Sequence, residues 1–150
     1  MNLGFYVESC GGTPLNTEIY NFLNKAVDYA ELDDAAVFFN SINFNPITCK
    51  FGMFDSTELW HFKGNLVCTS IDNLRRAHKV VNDIKITYLF TADQKTERTL
   101  FDLVSIARQH KVVTLNDQDS REFTRLTGVA PISLGGFTVQ KLEEIFNGEV

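Results

Sequence analysis

The sequence predicts an α/β fold, a doubly wound and mostly parallel sheet, on three observations. Short β-branched and aromatic runs alternate with longer segments of helical period along nearly the whole chain, which is the signature of repeated β-α units. The strand-like runs are apolar almost throughout, as strands covered by helices on both faces must be. The composition, 44% hydrophobic and 22% charged over 150 residues, suits a compact chain with one core, and it excludes disorder and collagen-like repeats.

Taken in order, residues 3–7 read as the first strand, followed by the turn Glu8-Ser9-Cys10-Gly11-Gly12. Thr13 caps the next helix, Pro14 suits its first position, and Ile19, Phe22, Leu23, Ala26, Val27 and Ala30 recur at helical spacing, which places them on one inward stripe. Asp33-Asp34 ends that helix, and residues 35–39 form a second buried strand before Asn40-Ser41. From 42 to 63 the period is lost; residues 50–54 read as a short edge strand and 55–62 as a helical turn. Residues 65–69 are a strand, Ser70 is a cap, and 71–82 is a helix with Leu74, Ala77, Val80 and Val81 inward. Residues 84–90 follow as a strand and 96–110 as a helix with Leu100, Leu103, Val104 and Ala107 on one stripe. The chain closes with a strand at 111–115, a helix at 120–127 stopped by Gly128, a short strand at 131–134 and a helix at 138–146.

No repeat, low-complexity tract or linker divides the chain, so residues 1–150 are predicted as a single Rossmann-like α/β domain, a three-layer sandwich. Right-handed crossovers make the expected strand order 3-2-1-4-5 with the later strands appended. The predicted interior includes Phe5, Val7, Val37, Phe39, Val67, Ile86, Tyr88, Val113 and Leu115.

A formal net charge of −5 argues against a nucleic-acid binder, which needs a surplus of Lys and Arg for phosphate contacts. The start has no basic region and its apolar run breaks at Glu8, so no signal peptide is expected. No apolar stretch approaches the ~20 residues that cross a bilayer, and a cytoplasmic location with no membrane partner is the expectation. Cys10, Cys49 and Cys68 form no C-x-x-C pair, so reduced thiols are expected rather than a disulfide framework or zinc ribbon. His61, His78 and His110 fall on separate elements, the latter two at or near helix C-termini; neither a metal site nor a cofactor is predicted. Arg75, Arg76 and Lys79, with Lys63 and Lys85, read as a solvated face.

In open α/β sheets ligands bind beyond the carboxyl ends of the strands. The turns there are all small and polar: Glu8 to Thr13, Asn40-Ser41, Thr69-Ser70, Thr91-Ala92-Asp93, Asn116-Asp117 and Gly135-Gly136. A helix beginning at Thr13 offers N–H groups and a positive dipole end to a phosphate or carboxylate. The candidate ligand-binding residues are therefore Ser9, Cys10, Gly11, Gly12, Thr13, Asn116 and Asp117, with Glu8 and Asp117 as acceptors for a sugar hydroxyl or as bases. The glycines lack the G-x-G-x-x-G spacing of a dinucleotide site, and no Lys-Ser or Lys-Thr follows them as in a Walker loop. No catalytic constellation is assigned, although a thiol at Cys10 near a helix N-terminus is a candidate nucleophile. The aromatics of the irregular stretch, Phe44, Phe54, Trp60 and Phe62 beside Phe51, are a candidate surface for self-association or a protein partner, because no single period would bury them all.

Gly11-Gly12 leading a long helix after the first strand, and the late run Val112-Val113-Thr114-Leu115-Asn116-Asp117, helix, Gly128-Val129, strand, Gly135-Gly136, together resemble the N-terminal Rossmann-like half of GT-B glycosyltransferases over nearly the whole chain. The resemblance implies a loop at Gly11 and Gly12 near the acceptor side of an interdomain cleft. In that family a second Rossmann domain, which these 150 residues do not include, mainly binds the nucleotide-sugar donor. The implied function is a glycosyltransferase-like domain that binds a polar or phosphate-bearing ligand, a nucleotide or sugar, without complete catalytic machinery. A protein-interaction module or self-associating scaffold on the same fold stands beside it.

Overall fold

The computed structural model describes residues 1–80, 82–94 and 97–148. In chain order the elements are β1 (Asn2–Ser9), α1 (Pro14–Asp28), β2 (Asp34–Ser41), β3 (Gly52–Asp55), a 3-10 helix (Ser56–His61), β4 (Gly64–Cys68), α2 (Ile71–His78), β5 (Ile84–Leu89), a 3-10 turn (Ala92–Gln94), α3 (Glu97–Gln109), β6 (Val112–Thr114), α4 (Asp117–Thr127), β7 (Ile132–Ser133) and α5 (Val139–Phe146). The strands form one seven-stranded sheet in the order β3-β2-β1-β4-β5-β6-β7, and every pairing is parallel. Helices cover both faces, so the fold is an α/β Rossmann-like three-layer sandwich. None of the helices among the described residues is long and apolar enough to cross a membrane.

The period-2 geometry of β1 sorts its side chains between the layers. Leu3, Phe5 and Val7 enter one core with Ile19, Tyr20 and Leu23 of α1 and Leu142, Ile145 and Phe146 of α5. Tyr6 enters the other with Leu74 and Ala77 of α2, Leu103 and Ile106 of α3 and Phe123 of α4. Phe5 lies opposite Val37 of β2 and Val67 of β4, and all three are wholly buried. That arrangement explains the continuous apolar runs, since a strand covered on both faces has no position at which a polar side chain reaches water.

Phe62 departs from the sequence expectation of an exposed interaction residue. Its side chain is buried in the second core, packed edge-on against Phe38 with ring centroids 5.2 Å apart. The cause is Gly4: a Cβ there would meet Phe62 Cζ at 3.1 Å and Phe38 Cε2 at 3.2 Å, so the missing side chain makes the room that the two rings fill. Phe39, Ile86 and Leu115 are half-buried rather than interior. Phe39 and Leu115 stand at the carboxyl ends of their strands, and Ile86 lies in the first half of β5, which the short α2 covers only in part.

The helix ends also differ from the periodic pattern. α2 stops at His78, because Lys79 caps it and its amide turns back to Arg76 and Ala77; Val81 lies outside the described residues, as does the expected start of α3 at Thr96. In α3 Leu100 is exposed, and Ile106 joins Leu103 as the buried anchor. α4 begins at Asp117 because Asn116 caps it, and it ends at Gly128 with φ +73°, the left-handed conformation that glycine adopts at no steric cost.

Helix α1 ends in the same way, but on an alanine. The Glu31 amide donates to Ala26 O at 2.9 Å and the Ala30 amide to Val27 O at 3.1 Å, the paired bonds of a Schellman motif, and Ala30 sits at φ +53°. An L side chain in that region costs about 1 kcal/mol relative to glycine. Ala30→Gly, at an exposed position, is expected to raise stability by about 1 kcal/mol and the melting temperature by a few degrees. Calorimetry showing no gain, or a loss, would remove the strain assignment.

Candidate ligand site at the strand carboxyl edge

Because every strand is parallel, all carboxyl ends meet at one edge. The chain first winds outward from β1 to β2 and β3, then returns to place β4 on the other side of β1. The gap between β1 and β4 is the topological switch point, where neighbouring crossovers diverge and leave a crevice. It encloses about 410 Å³ and is lined by Val7, Glu8 and Ser9 of β1, the start of α1 from Thr13 to Asn16, Thr69 after β4, and Thr91 and Asp93 after β5.

The first turn is built differently from an anion cradle. The Cys10 amide donates to Ser41 O and the Gly12 amide to Phe44 O, both at 3.1 Å, while the Gly11 amide donates to Ser9 Oγ at 3.2 Å. The Asn16 amide is taken by the Thr13 cap at 3.1 Å, and Pro14 has no N–H to offer. On the carbonyl side, Asn16 Nδ2 donates to Ser9 O at 2.7 Å and to Gly11 O at 2.8 Å, and Tyr20 Oη donates to Cys10 O at 2.8 Å. The amides of the turn itself, at Cys10, Gly11 and Gly12, are thus engaged within the protein, and Gly12 is pressed under the following loop, where a Cβ would meet Pro46 Cδ at 2.8 Å.

Of the residues predicted for the site, Ser9 and Thr13 line the crevice, whereas Cys10, Gly11 and Gly12 form the joint beneath the 42–46 loop. Cys10 is buried, and its Sγ lies 3.3 Å from both the amide and the carbonyl of Asn43. The histidines end α2, follow α3 or precede β4, so the parallel topology places them toward the opposite edge of the sheet from that thiol. Asn116 acts as the α4 cap, its Oδ1 accepting from the Asp119 amide at 2.8 Å. Asp117 lines a separate, shallow depression with Arg121 and Arg125. Asp119 links the two regions, its Oδ1 accepting from the Ala92 amide at 3.2 Å.

Glu8 is the best-oriented acidic group beside the crevice. Asn40 Nδ2 donates to Glu8 Oε2 at 2.8 Å and to the Oδ1 of the wholly buried Asn73 at 2.8 Å. Tyr6 Oη donates to Asn40 Oδ1 at 2.7 Å, and Asn73 Nδ2 donates to Tyr6 O at 3.2 Å. Arg76 of α2 completes the cluster; hydrogen bonding to the Tyr6 phenol, with the charges of Glu8 and Asp72 behind it, holds its guanidinium above the usual range. Asp93 has one carboxylate oxygen accepting from Thr91 Oγ1. Asn16 and Asn73 were not legible as site-builders, because both lie within helical stretches whose pattern marks polar residues as solvent-facing.

Among the described residues no group of three or more His, Cys, Asp and Glu side chains is placed to hold a metal ion. Comparison with protein-family models, with curated proteins and with solved structures gives no match for this chain.

Asn16 carries the turn, since both of its amide hydrogens reach carbonyls that nothing else in the turn is shown to satisfy. Asn16→Ala is expected to cost about 1–3 kcal/mol, the usual penalty for unpaired buried acceptors. Asn16→Asp should cost at least as much, because a carboxylate cannot donate. Urea denaturation checks both; a midpoint unchanged in either variant would show that the turn holds without them.

Proposed function

We propose that this chain is a small-molecule binding domain of the GT-B N-terminal type, taking a sugar or the sugar part of a nucleotide in the crevice between β1 and β4. The observation that carries the reading is the crevice itself, placed at the switch point and lined by Glu8, Ser9, Thr13, Thr69, Thr91 and Asp93. Carboxylates accept from sugar hydroxyls, and the Ser and Thr hydroxyls can donate or accept in return. Glu8 is suited to this because Asn40 anchors one of its oxygens while the residue stays exposed beside the crevice it lines. The engaged amides of Cys10, Gly11 and Gly12 leave the polar side chains of the crevice as the main groups for sugar hydroxyls. The domain works without complete catalytic machinery of its own, and a cytoplasmic setting agrees with its free thiols.

The test is a thermal-shift screen of sugars, nucleosides, nucleotides and nucleotide sugars, followed by calorimetric titration of the best ligand. A ligand at a hundred times its Kd stabilises by about 2.7 kcal/mol. Glu8→Gln is expected to weaken binding about tenfold or more, the loss of a charge-assisted hydrogen bond, with little change in the melting temperature of the free protein. Absence of any shift across all four classes at millimolar concentration would overturn the reading.

A second reading, an interaction module, is favoured by the aromatic stretch. Phe44 is 80% exposed, Trp60 54% and Phe54 43%, and Phe54 belongs to β3, the strand at one margin of the sheet. Trp60 is the largest anchor available there, and aromatics of this size dominate interfaces when buried. Light scattering on the wild type and Trp60→Ser checks it: a concentration-dependent dimer lost in the variant supports association through this face, and a wild type that stays monomeric at millimolar concentration removes self-association through it.

A further inference from the structure

The two histidines that the sequence places on separate helices meet in space. His78 is the last residue of α2 and His110 directly follows α3; their ring centroids are 4.6 Å apart with an interplanar angle of 37°, an offset ring contact. Both line a groove of about 450 Å³, whose walls include Leu74 and Arg75 of α2 and Asp102 and Ile106 of α3. Arg75 Nη2 meets Asp102 Oδ1 at 2.5 Å. The two helices are thus joined at two levels, by an ion pair in their earlier turns and by a contact between two titratable rings at their ends.

We propose that the His78–His110 contact is a proton-operated latch, closed while the imidazoles are neutral and opened in mild acid by repulsion between two imidazolium rings, which parts the ends of α2 and α3. The geometry carries this. Rings 4.6 Å apart lie well inside the screening length of about 8 Å at physiological salt, so two positive charges there repel without relief from mobile ions. The Arg75–Asp102 pair keeps its charges through the same mild acidification, because a carboxylate beside a guanidinium titrates far below histidine. The earlier turns therefore stay joined and act as the hinge, and parting the ends uncovers Leu74 and Ile106, buried residues on the groove walls.

The surroundings oppose a second proton. The partial negative charge at the helix ends stabilises a first one on the pair; the second meets that charge together with Arg75 and Lys79 of α2, while Asp102 of α3, the carboxylate on the groove wall, is committed to Arg75. Asp83, after α2, and Arg108 of α3 are exposed, and neither lines the groove. From the sheet, Ile84 and Ile86 of β5 and Val112 of β6 pack on this layer; Lys85 alternates to the opposite face, and Lys111 donates to Ile145 O at 2.8 Å. On α4, which packs against α3, Arg125 is paired with Glu122 and Arg121 donates to Asp117 O. Burial first, then the charge of His78, lowers the pKa of His110 below the ordinary histidine value. The folded protein therefore takes up that proton at lower pH than the unfolded chain, so the stability the latch contributes is full above the ordinary value of 6.5 and is lost as the pH falls toward the lowered one.

The experiment follows both imidazoles by NMR titration and measures amide hydrogen exchange at about pH 7.5 and about pH 5.5, corrected for the intrinsic effect of pH on exchange. In the wild type His110 is expected to titrate below the ordinary histidine value, and amide protection in the last turns of α2 and α3 to fall about tenfold or more on acidification while the sheet stays protected. His78→Phe, which keeps a ring and removes a charge, should move the His110 titration up toward the ordinary value and abolish the acid-induced loss of protection; His110→Phe should abolish that loss too. The wild-type measurements decide without any variant: His110 titrating at or above the ordinary value, or protection at the helix ends unchanged between the two pH values, would overturn the proposal. So would an equal loss of protection in either folded variant.

Discussion

The structure depends on β1 being paired on both edges and buried on both faces. Its register with β2 runs from Asn2 opposite Asp34 to Ser9 opposite Ser41, and its register with β4 from Leu3 opposite Asn65 to Tyr6 opposite Cys68. A strand so enclosed must satisfy its backbone within the sheet and its side chains within the two cores. β1 outruns β4 at the carboxyl end, however, and there the Tyr6 carbonyl is met by the Thr69 amide, the Thr69 hydroxyl and the Asn73 side chain. The crevice opens where that substitution of loop and helix donors for strand donors takes place. The same asymmetry that ends the β1–β4 ladder early therefore creates the candidate site.

What the edge can recognise follows from how the turn after β1 is held. Its amides are engaged by the 41–44 segment and by local caps, and its carbonyls by Asn16 and Tyr20. A glycine-rich turn before a helix is commonly an anion site because its N–H groups point outward unpaired. Here the glycines serve close approach instead: Gly12 lies against Pro46, and Gly11 lies against Asn43. The polar side chains that line the crevice are Glu8, Ser9, Thr13, Asn16, Thr69, Thr91 and Asp93.

The two edges of the sheet are consequently unlike. At the carboxyl edge, Asn40, Asn73, Tyr6 and Arg76 orient one carboxylate, Glu8. At the amino edge, the convergence of α2 and α3 brings two imidazoles together over a cavity whose Arg75 is already paired with Asp102. Both arrangements come from the same rule, that helices in a parallel sheet run opposite to the strands. Helix starts and their caps gather at one edge, and helix ends with their basic and histidine residues gather at the other.

By itself the sequence determined the kind and order of the elements, because those depend on local signals that survive without neighbours: the apolar run of β1, the Thr13-Pro14 start of α1, the αL stop at Gly128. It also marked the carboxyl-edge turns, whose small polar residues stand out between apolar runs. Tertiary structure alone decided which of those turns face the crevice and which act as joints, since Gly12 is indistinguishable from a ligand-contacting glycine until Pro46 lies upon it. It decided that Phe62 goes inward over Gly4 while Phe44 and Trp60 stay out, a choice made by the space one absent side chain leaves. And it alone brought His78 to His110 across 32 residues of chain. Periodicity acts along a single element, whereas a site is a meeting of elements, and no local signal encodes the distance between two helices.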